Sequence, residues 1–229
     1  MVRRWLAVTC IAFVLGIISF STGCGGSGKT ELRVLQASPD ETTGLDVLID
    51  SNTLFSNIAL GTPSSYSSVS AGSRHLQIEP SGSTTPVVDE TINLSGGTHY
   101  TLVTTNYAAS ISAVLLTDDT SAPSSGNFKI RVMNAGIGTG PSVDAYIVTP
   151  GTTPGSVSPT ISAVGFGSAS SYQSLASGSY EIFFTLSGVP SVIYVDTGSV
   201  SFSAGQNRTI VLVPTAAGSF SYVVLSDLN

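Results

Sequence analysis

Leu32-Arg33-Val34 returns later in this chain as Ile130-Arg131-Val132, and Gly61-Thr62-Pro63-Ser64-Ser65-Tyr66 returns as Gly167-Ser168-Ala169-Ser170-Ser171-Tyr172. Self-similarity over so long a period signals two copies of one domain rather than one large fold. Working outward, Asp46 matches Asp144, Gly72 matches Gly178, Gly97 matches Gly205, and Val114 to Thr117 matches Val223 to Ser226. The offset grows along the chain because the second copy carries extra residues, mainly from Val148 to Pro159. Pro and Gly at that density cannot continue a central strand, so the insertion reads as a surface loop. What one copy has alone is not needed by the fold.

Between the repeated landmarks the pattern is that of strands. In Leu45-Asp46-Val47-Leu48-Ile49-Asp50 the odd positions are apolar and two of the three even ones are acidic. From Arg74 to Glu79, Leu76 and Ile78 share one face, while His75, Gln77 and Glu79 share the other. Such alternation marks half-buried strands. Val211-Leu212-Val213 and Tyr222-Val223-Val224-Leu225 are unbroken apolar runs, expected of strands covered on both sides. Turn signals such as Ala71-Gly72-Ser73 and Ser95-Gly96-Gly97 punctuate the runs, and no helical period is sustained after residue 24. The expectation is an all-β chain: two tandem antiparallel β-sandwich domains, immunoglobulin- or transthyretin-like.

The first residues carry an address instead. Arg3-Arg4 precedes an uncharged apolar run from Trp5 to Phe20, followed by Ser21-Thr22-Gly23-Cys24 and a Gly-Ser stretch. A basic start, an apolar middle and small residues at the end make a secretory signal. Of the two cysteines, Cys10 lies in the apolar run and Cys24 directly after Gly23. A lone mature thiol at that place resembles the bacterial lipoprotein processing box, with Ser21 where that box favours Leu. The resemblance implies lipidation of Cys24 and anchoring in the outer membrane or at the cell surface. Ordinary secretion or an uncleaved anchor is the alternative. The boundaries follow: signal peptide 1–23, tether 24–30, first sandwich 31–119, linker 120–127, second sandwich 128–229.

Removing Arg3 and Arg4 with the signal takes the formal charge from −6 to −8. Nothing basic is left to make a nucleic-acid footprint. Lys occurs only at Lys29 and Lys129, so the polar surface is built from hydroxyls more than charges.

Leu32-Arg33-Val34-Leu35-Gln36-Ala37-Ser38-Pro39-Asp40, followed by Leu45-Asp46-Val47, Gly61 to Tyr66 and Ala71-Gly72, resembles a bacterial family of exported domains of unknown function, number 4397. Gln36 stands where that family usually has His. The second copy departs further, reading Arg131-Val132-Met133-Asn134-Ala135-Gly136, but keeps Val143-Asp144-Ala145-Tyr146. The resemblance implies an all-β sandwich on an exported protein and transfers no catalytic residue.

The best shared polar residues are Arg33 with Asp46 and Arg131 with Asp144. Each is expected on the polar face of its strand, where the two charges pair across neighbouring strands and hold the fold. Tyr66 and Tyr172 are expected to pack at the core edge and tie their hydroxyls to backbone, as a tyrosine corner does. His75 and His99 become Glu181 and Asn207 in the second copy, so the fold does not need them. They read as strand surface residues rather than as a zinc site or half of a Ser-His-Asp set. The doublets Asp40-Glu41, Asp89-Glu90 and Asp118-Asp119 lack calcium-loop spacing and read as solvated turns. Tyr146 and Phe166 flank the Pro-Gly insertion and are the candidate rim of a ligand site.

The expectation is therefore a non-enzymatic envelope lipoprotein, without cofactor or metal. It would meet the membrane through Cys24 and act in adhesion, scaffolding or surface interaction with a glycan or protein. The alternatives are a carbohydrate- or peptide-binding module and, third, a serine hydrolase using His75 or His99.

Overall fold

A computed structural model describes residues 29–229. The leader and Cys24 lie outside the described residues. Apart from one 3-10 turn at Ala108–Ser110, the described elements are all strands. The first half holds β1 (Thr30–Gln36), β2 (Leu45–Ile49), β3 (Asn52–Ile58), β4 (Ser67–Val69), β5 (Gly72–Pro80), β6 (Val88–Leu94), β7 (His99–Thr105) and β8 (Ser112–Asp118). The second holds β9 (Asn127–Asn134), β10 (Ser142–Val148), β11 (Ile161–Gly165), β12 (Ser168–Ala169), β13 (Gln173–Ala176), β14 (Gly178–Leu186), β15 (Val189–Phe202), β16 (Asn207–Pro214) and β17 (Phe220–Leu228).

Each half is a sandwich of two sheets, and the halves repeat one topology. The first pairs a sheet β4-β1-β7-β8 with a sheet β3-β2-β5-β6. The second pairs β12-β9-β16-β17, with β13 also on β9, against β11-β10-β14-β15. The chain is all-β, as expected. Antiparallel pairing prevails, but β1 runs parallel to β7 and β9 parallel to β16. Those partners are far apart in sequence, so no tight turn forces them antiparallel.

Alternation places the cores. Leu32 and Val34 of β1 face Leu45, Val47, Leu76 and Ile78 across the first sandwich. Ile130 and Val132 of β9 do the same against Val143, Ala145, Ile182 and Phe184 in the second, where Phe128 stacks on Phe202 at 4.6 Å. The opposite faces of β1, β7, β9 and β16 are covered as well. Leu35, Ala37 and Val103 of the first half meet Met133, Ala135, Val211, Val213 and Leu225 of the second in a third apolar cluster. Four sheets are thus stacked, and the central strands of the two inner ones, β1, β7, β9 and β16, are covered on both faces. That explains β16, in which every residue from Asn207 to Pro214 is buried: Ile210 and Leu212 serve its own core, Val211 and Val213 the seam.

The insertion after β10 is a surface loop, but it is folded down onto the outer sheet. Gly151 N–H donates to Glu181 Oε2 at 2.7 Å, and a methyl group at Gly155 would sit 3.0 Å from Pro190 Cγ.

Burial at the seam sets a measurable equality. Leu35 faces the other half and Leu32 faces its own core, yet both are fully buried. Leu35→Ala and Leu32→Ala are each expected to cost about 2–5 kcal/mol in urea denaturation. A near-neutral Leu35→Ala would mean the halves are strung loosely together.

Candidate functional site: the seam and its end cleft

Of the four charged residues expected on polar strand faces, Arg33 and Arg131 lie in the seam between the halves, where Asp227 and Asp118 meet them. Arg33 and Arg131 are each 4% exposed, Asp118 is 5% and Asp227 4%. The parallel register sets Arg33 beside Thr101, and Arg131 beside Thr209. Arg33 Nε donates to Thr101 Oγ1 at 2.8 Å, and Arg131 Nε to Thr209 Oγ1 at 2.7 Å. Each guanidinium then crosses to the other half. Arg33 Nη1 donates to the Ser226 carbonyl at 2.7 Å and Nη2 to Asp227. Arg131 Nη1 donates to the Thr117 carbonyl at 2.7 Å and Nη2 to Asp118.

Each carboxylate is held in place by its own half. Asp118 Oδ2 accepts from Thr101 Oγ1 at 2.7 Å and from Tyr66 OH at 2.6 Å. Asp227 Oδ2 accepts from Thr209 Oγ1 at 2.7 Å and from Tyr172 OH at 2.8 Å. The tyrosine rings complete the cage, lying 4.6 Å from Arg33 Cζ and 4.7 Å from Arg131 Cζ, within cation–π range. Burial, reinforced by the neighbouring Asp118 and Asp227 charges, pushes the Tyr66 and Tyr172 hydroxyls well above the usual tyrosine range. Burial also pushes the Asp227 carboxyl up, against the pull of Arg33.

Four expectations are corrected here. Arg33 does not pair with Asp46, nor Arg131 with Asp144. β1 and β2 lie in opposite sheets of one sandwich, as do β9 and β10, and these side chains point away from the core between them. Asp46 instead accepts from Asn57 N–H at 2.7 Å and Ser81 Oγ at 2.6 Å. Asp144 accepts from Ala163 N–H at 2.8 Å and Ser187 Oγ at 2.9 Å. Asn57 and Ala163 have φ of +54° and +55°, so each Asp pins a left-handed residue where the β2–β3 or β10–β11 register shifts. The tyrosine hydroxyls go to carboxylates, not to backbone as a tyrosine corner would. Asp118 is a buried counter-ion rather than a solvated turn residue. Finally, Tyr146 is only 3% exposed under the insertion side of the outer sheet, and Phe166 lies beyond the far end of the same strand pair. The two do not converge on a rim.

The histidines do not meet either. His75 on β5 bonds Asp89 at 2.7 Å on an outer sheet, while His99 on β7 packs its ring edge-on against Tyr66. Among the described residues no group of three or more His, Cys, Asp or Glu is placed to hold a metal ion.

Sequence reasoning missed Asp118 and Asp227 by one residue. The repeat match Val114–Thr117 to Val223–Ser226 stops just before them. Extending it, and asking what neutralises two arginines on apolar strands, would have reached the cage.

Beyond the apolar cluster the seam opens. The turns after β1 and β7 from one half and after β9 and β16 from the other converge on a cleft of about 580 Å³. Pro39, Tyr107, Ile137, Pro214 and Phe220 give it an apolar lining, and Asp40 is the only charged residue among the described residues that line it. Asp40 Oδ1 accepts Ala108 N–H at 2.7 Å, which fastens the turn carrying Tyr107. A recess of about 380 Å³ adjoins it, sharing Pro39, Thr42 and Ala216 and adding Glu41.

The family model described as Domain of unknown function (DUF4397) matches residues 30–146 and again 137–229. The chain belongs to this family. No curated protein matches this DUF4397 member in sequence. Among solved structures it is similar to a family 26 carbohydrate-binding module from Eubacterium rectale in complex with maltoheptaose, with 10% identity, 84% of this chain and 96% of that chain covered, and a TM-score of 0.28. It is also similar to a streptococcal virulence factor described as binding alpha-glucan, with 7% identity, 80% and 92% covered, and a TM-score of 0.25. At those scores neither likeness bears on what this chain binds.

The cage carries two expectations. Removing one member of a buried pair leaves an uncompensated charge, so Arg33→Met or Asp227→Leu alone should each cost about 3–5 kcal/mol, and the double variant less than their sum. Arg33→Met with Asp46→Ala should be additive in the same denaturation cycle. The second concerns alkali. The Tyr66 and Tyr172 hydroxyls titrate higher folded than unfolded, so their contribution is whole below the ordinary tyrosine pKa of about 10 and fades above it. Between pH 9 and 11 the Tyr66→Phe/Tyr172→Phe double variant should lose stability less steeply than the parent; equal slopes would contradict the caged hydroxyls.

Proposed function

We propose that this DUF4397 member is a non-enzymatic envelope protein, built from two copies of one sandwich domain and tethered by lipid on Cys24. It serves surface interaction as a single rigid body. The observation that carries the reading is the crossed cage. Arg33, Arg131, Asp118, Asp227, Tyr66 and Tyr172 are consumed by one another and by Thr101 and Thr209. Their chemistry is spent on docking one half to the other, which leaves the buried titratable groups no substrate to act on. A stiff pair of sandwiches with loops gathered at its ends makes a display platform. The leader supports export, and the mature chain's single thiol supports the tether.

Metabolic labelling with an alkyne fatty acid tests the tether. The full-length chain should take the label and fractionate with membranes, and Cys24→Ser should do neither. Label that survives Cys24→Ser, or none on the parent, would refute lipid anchoring at this residue. Rigidity is read separately by ¹⁵N relaxation: one rotational correlation time is expected for both halves, and two would refute it.

A further inference from the structure

The geometry points to the end cleft as a peptide-binding site, one that takes an extended segment carrying an aromatic or aliphatic side chain beside a lysine or arginine. This deepens the interaction reading above by naming the kind of partner, and it uses neither the tether nor the cage.

The first ground is where the cleft lies. The strands on either side of the seam end together, so turns from both halves meet over one opening. A volume of about 580 Å³ falls in the range of ligand sites, roughly 300–1,000 Å³. The flanking strands hold its walls, and the bond from Ala108 N–H to Asp40 fixes the Tyr107 turn. A ligand would therefore find the site already formed, with little ordering cost.

The second ground is the comparison of the two halves. Tyr107 is 49% exposed, the most exposed large apolar side chain described. The equivalent turn of the second half, Thr215–Ser219, has no aromatic residue. Asp40 likewise corresponds to Gly138 in the second half. The fold is built without either residue there, so it does not require them in the first half. Tyr107 is thus a ring that architecture leaves unexplained, Asp40 spends one oxygen on holding the turn beneath it and keeps the other free, and both line one cleft.

The third ground is charge. Among the described residues the cleft and its adjoining recess are lined by Asp40 and Glu41 and by no Lys or Arg, and the chain as a whole has a formal charge of −6. An apolar trough with carboxylates at one side complements an apolar side chain flanked by a cation. A sugar fits less well, because its hydroxyls need several planar polar partners. Asp40 is the one such side chain in the cleft proper, and one of its oxygens is already occupied. The recess continues the cleft past Thr42 toward Asn57 and Leu60, which suits an extended chain more than a compact ligand.

Fluorescence anisotropy on the full-length protein in detergent tests the proposal, with fluorescein-labelled Gly-Lys-Trp-Lys-Gly as probe. The controls are Gly-Glu-Trp-Glu-Gly, Gly-Lys-Gly-Lys-Gly and a neutral glucan oligosaccharide as competitor. Saturable binding of the first peptide alone is expected. Tyr107→Ala should weaken it by about tenfold or more, as loss of an aromatic anchor does. Asp40→Asn keeps an acceptor for Ala108 N–H, so it should weaken binding while flattening its dependence on salt. Both variants should keep the parental melting temperature. No binding of the Lys-Trp-Lys probe, equal binding of the acidic peptide, or binding unchanged in Tyr107→Ala overturns the proposal. Displacement by the oligosaccharide would assign the cleft to glycans instead. None of these outcomes alters fatty-acid labelling or tumbling, so failure here is distinguishable from failure of the reading above.

Discussion

Two guanidinium groups cross the seam between the sandwiches, and the rest of the arrangement is organised around neutralising them. Arg33 reaches Asp227 and Arg131 reaches Asp118, so each half supplies the counter-ion of the other. A charge taken out of water is expensive unless it is paired and hydrogen-bonded. The requirement is met by exchange: the threonine and tyrosine beside each aspartate come from its own half, and the arginine comes from across. The halves cannot part without exposing four charges and two tyrosines to a different environment. Apolar contact alone would hold them together in many orientations. Each guanidinium fork is directional, with one Nη on a backbone carbonyl and the other on an aspartate, so only one docking geometry satisfies all its bonds.

The docking has a consequence at the far end of the seam. With the inner sheets locked face to face and their strands ending together, turns from both halves are brought over one opening. Neither sandwich alone has this cleft, since its walls are shared. The cage and the Leu35–Val211 cluster are thus the foundations of a composite surface, on which Tyr107 stands exposed while Asp40 holds its turn. The outer sheets show the contrary case. Their repeated aspartates, Asp46 and Asp144, each accept from a backbone amide and a serine at a register shift, and Asp144 also from Gly188 N–H. They recur because the bulge recurs.

The division between legible and illegible follows from how far each interaction reaches along the chain. Strand alternation, the turns and the core-facing residues could be read in the sequence, because a period of two is a local property. The recurring landmarks, such as Arg33 with Arg131 and Tyr66 with Tyr172, were legible because they match residue by residue along the chain. The insertion was recognisable as a loop from Pro and Gly, but its fold-down onto Glu181 and Pro190 was not. The unbroken apolar run of β16 announced burial on both faces without saying what covered the second.

Composition, periodicity and internal repetition by themselves determined an all-β chain with strands buried on chosen faces. They also singled out Arg33, Asp46, Arg131 and Asp144. Tertiary structure alone decided their partners. Within one sandwich Arg33 and Asp46 stand in opposite sheets and point outward, so no local rule could join them, while Arg33 and Asp227 are 194 positions apart and meet only when the halves dock. Alternation says which way a side chain points; only the stacking of sheets says what is waiting there.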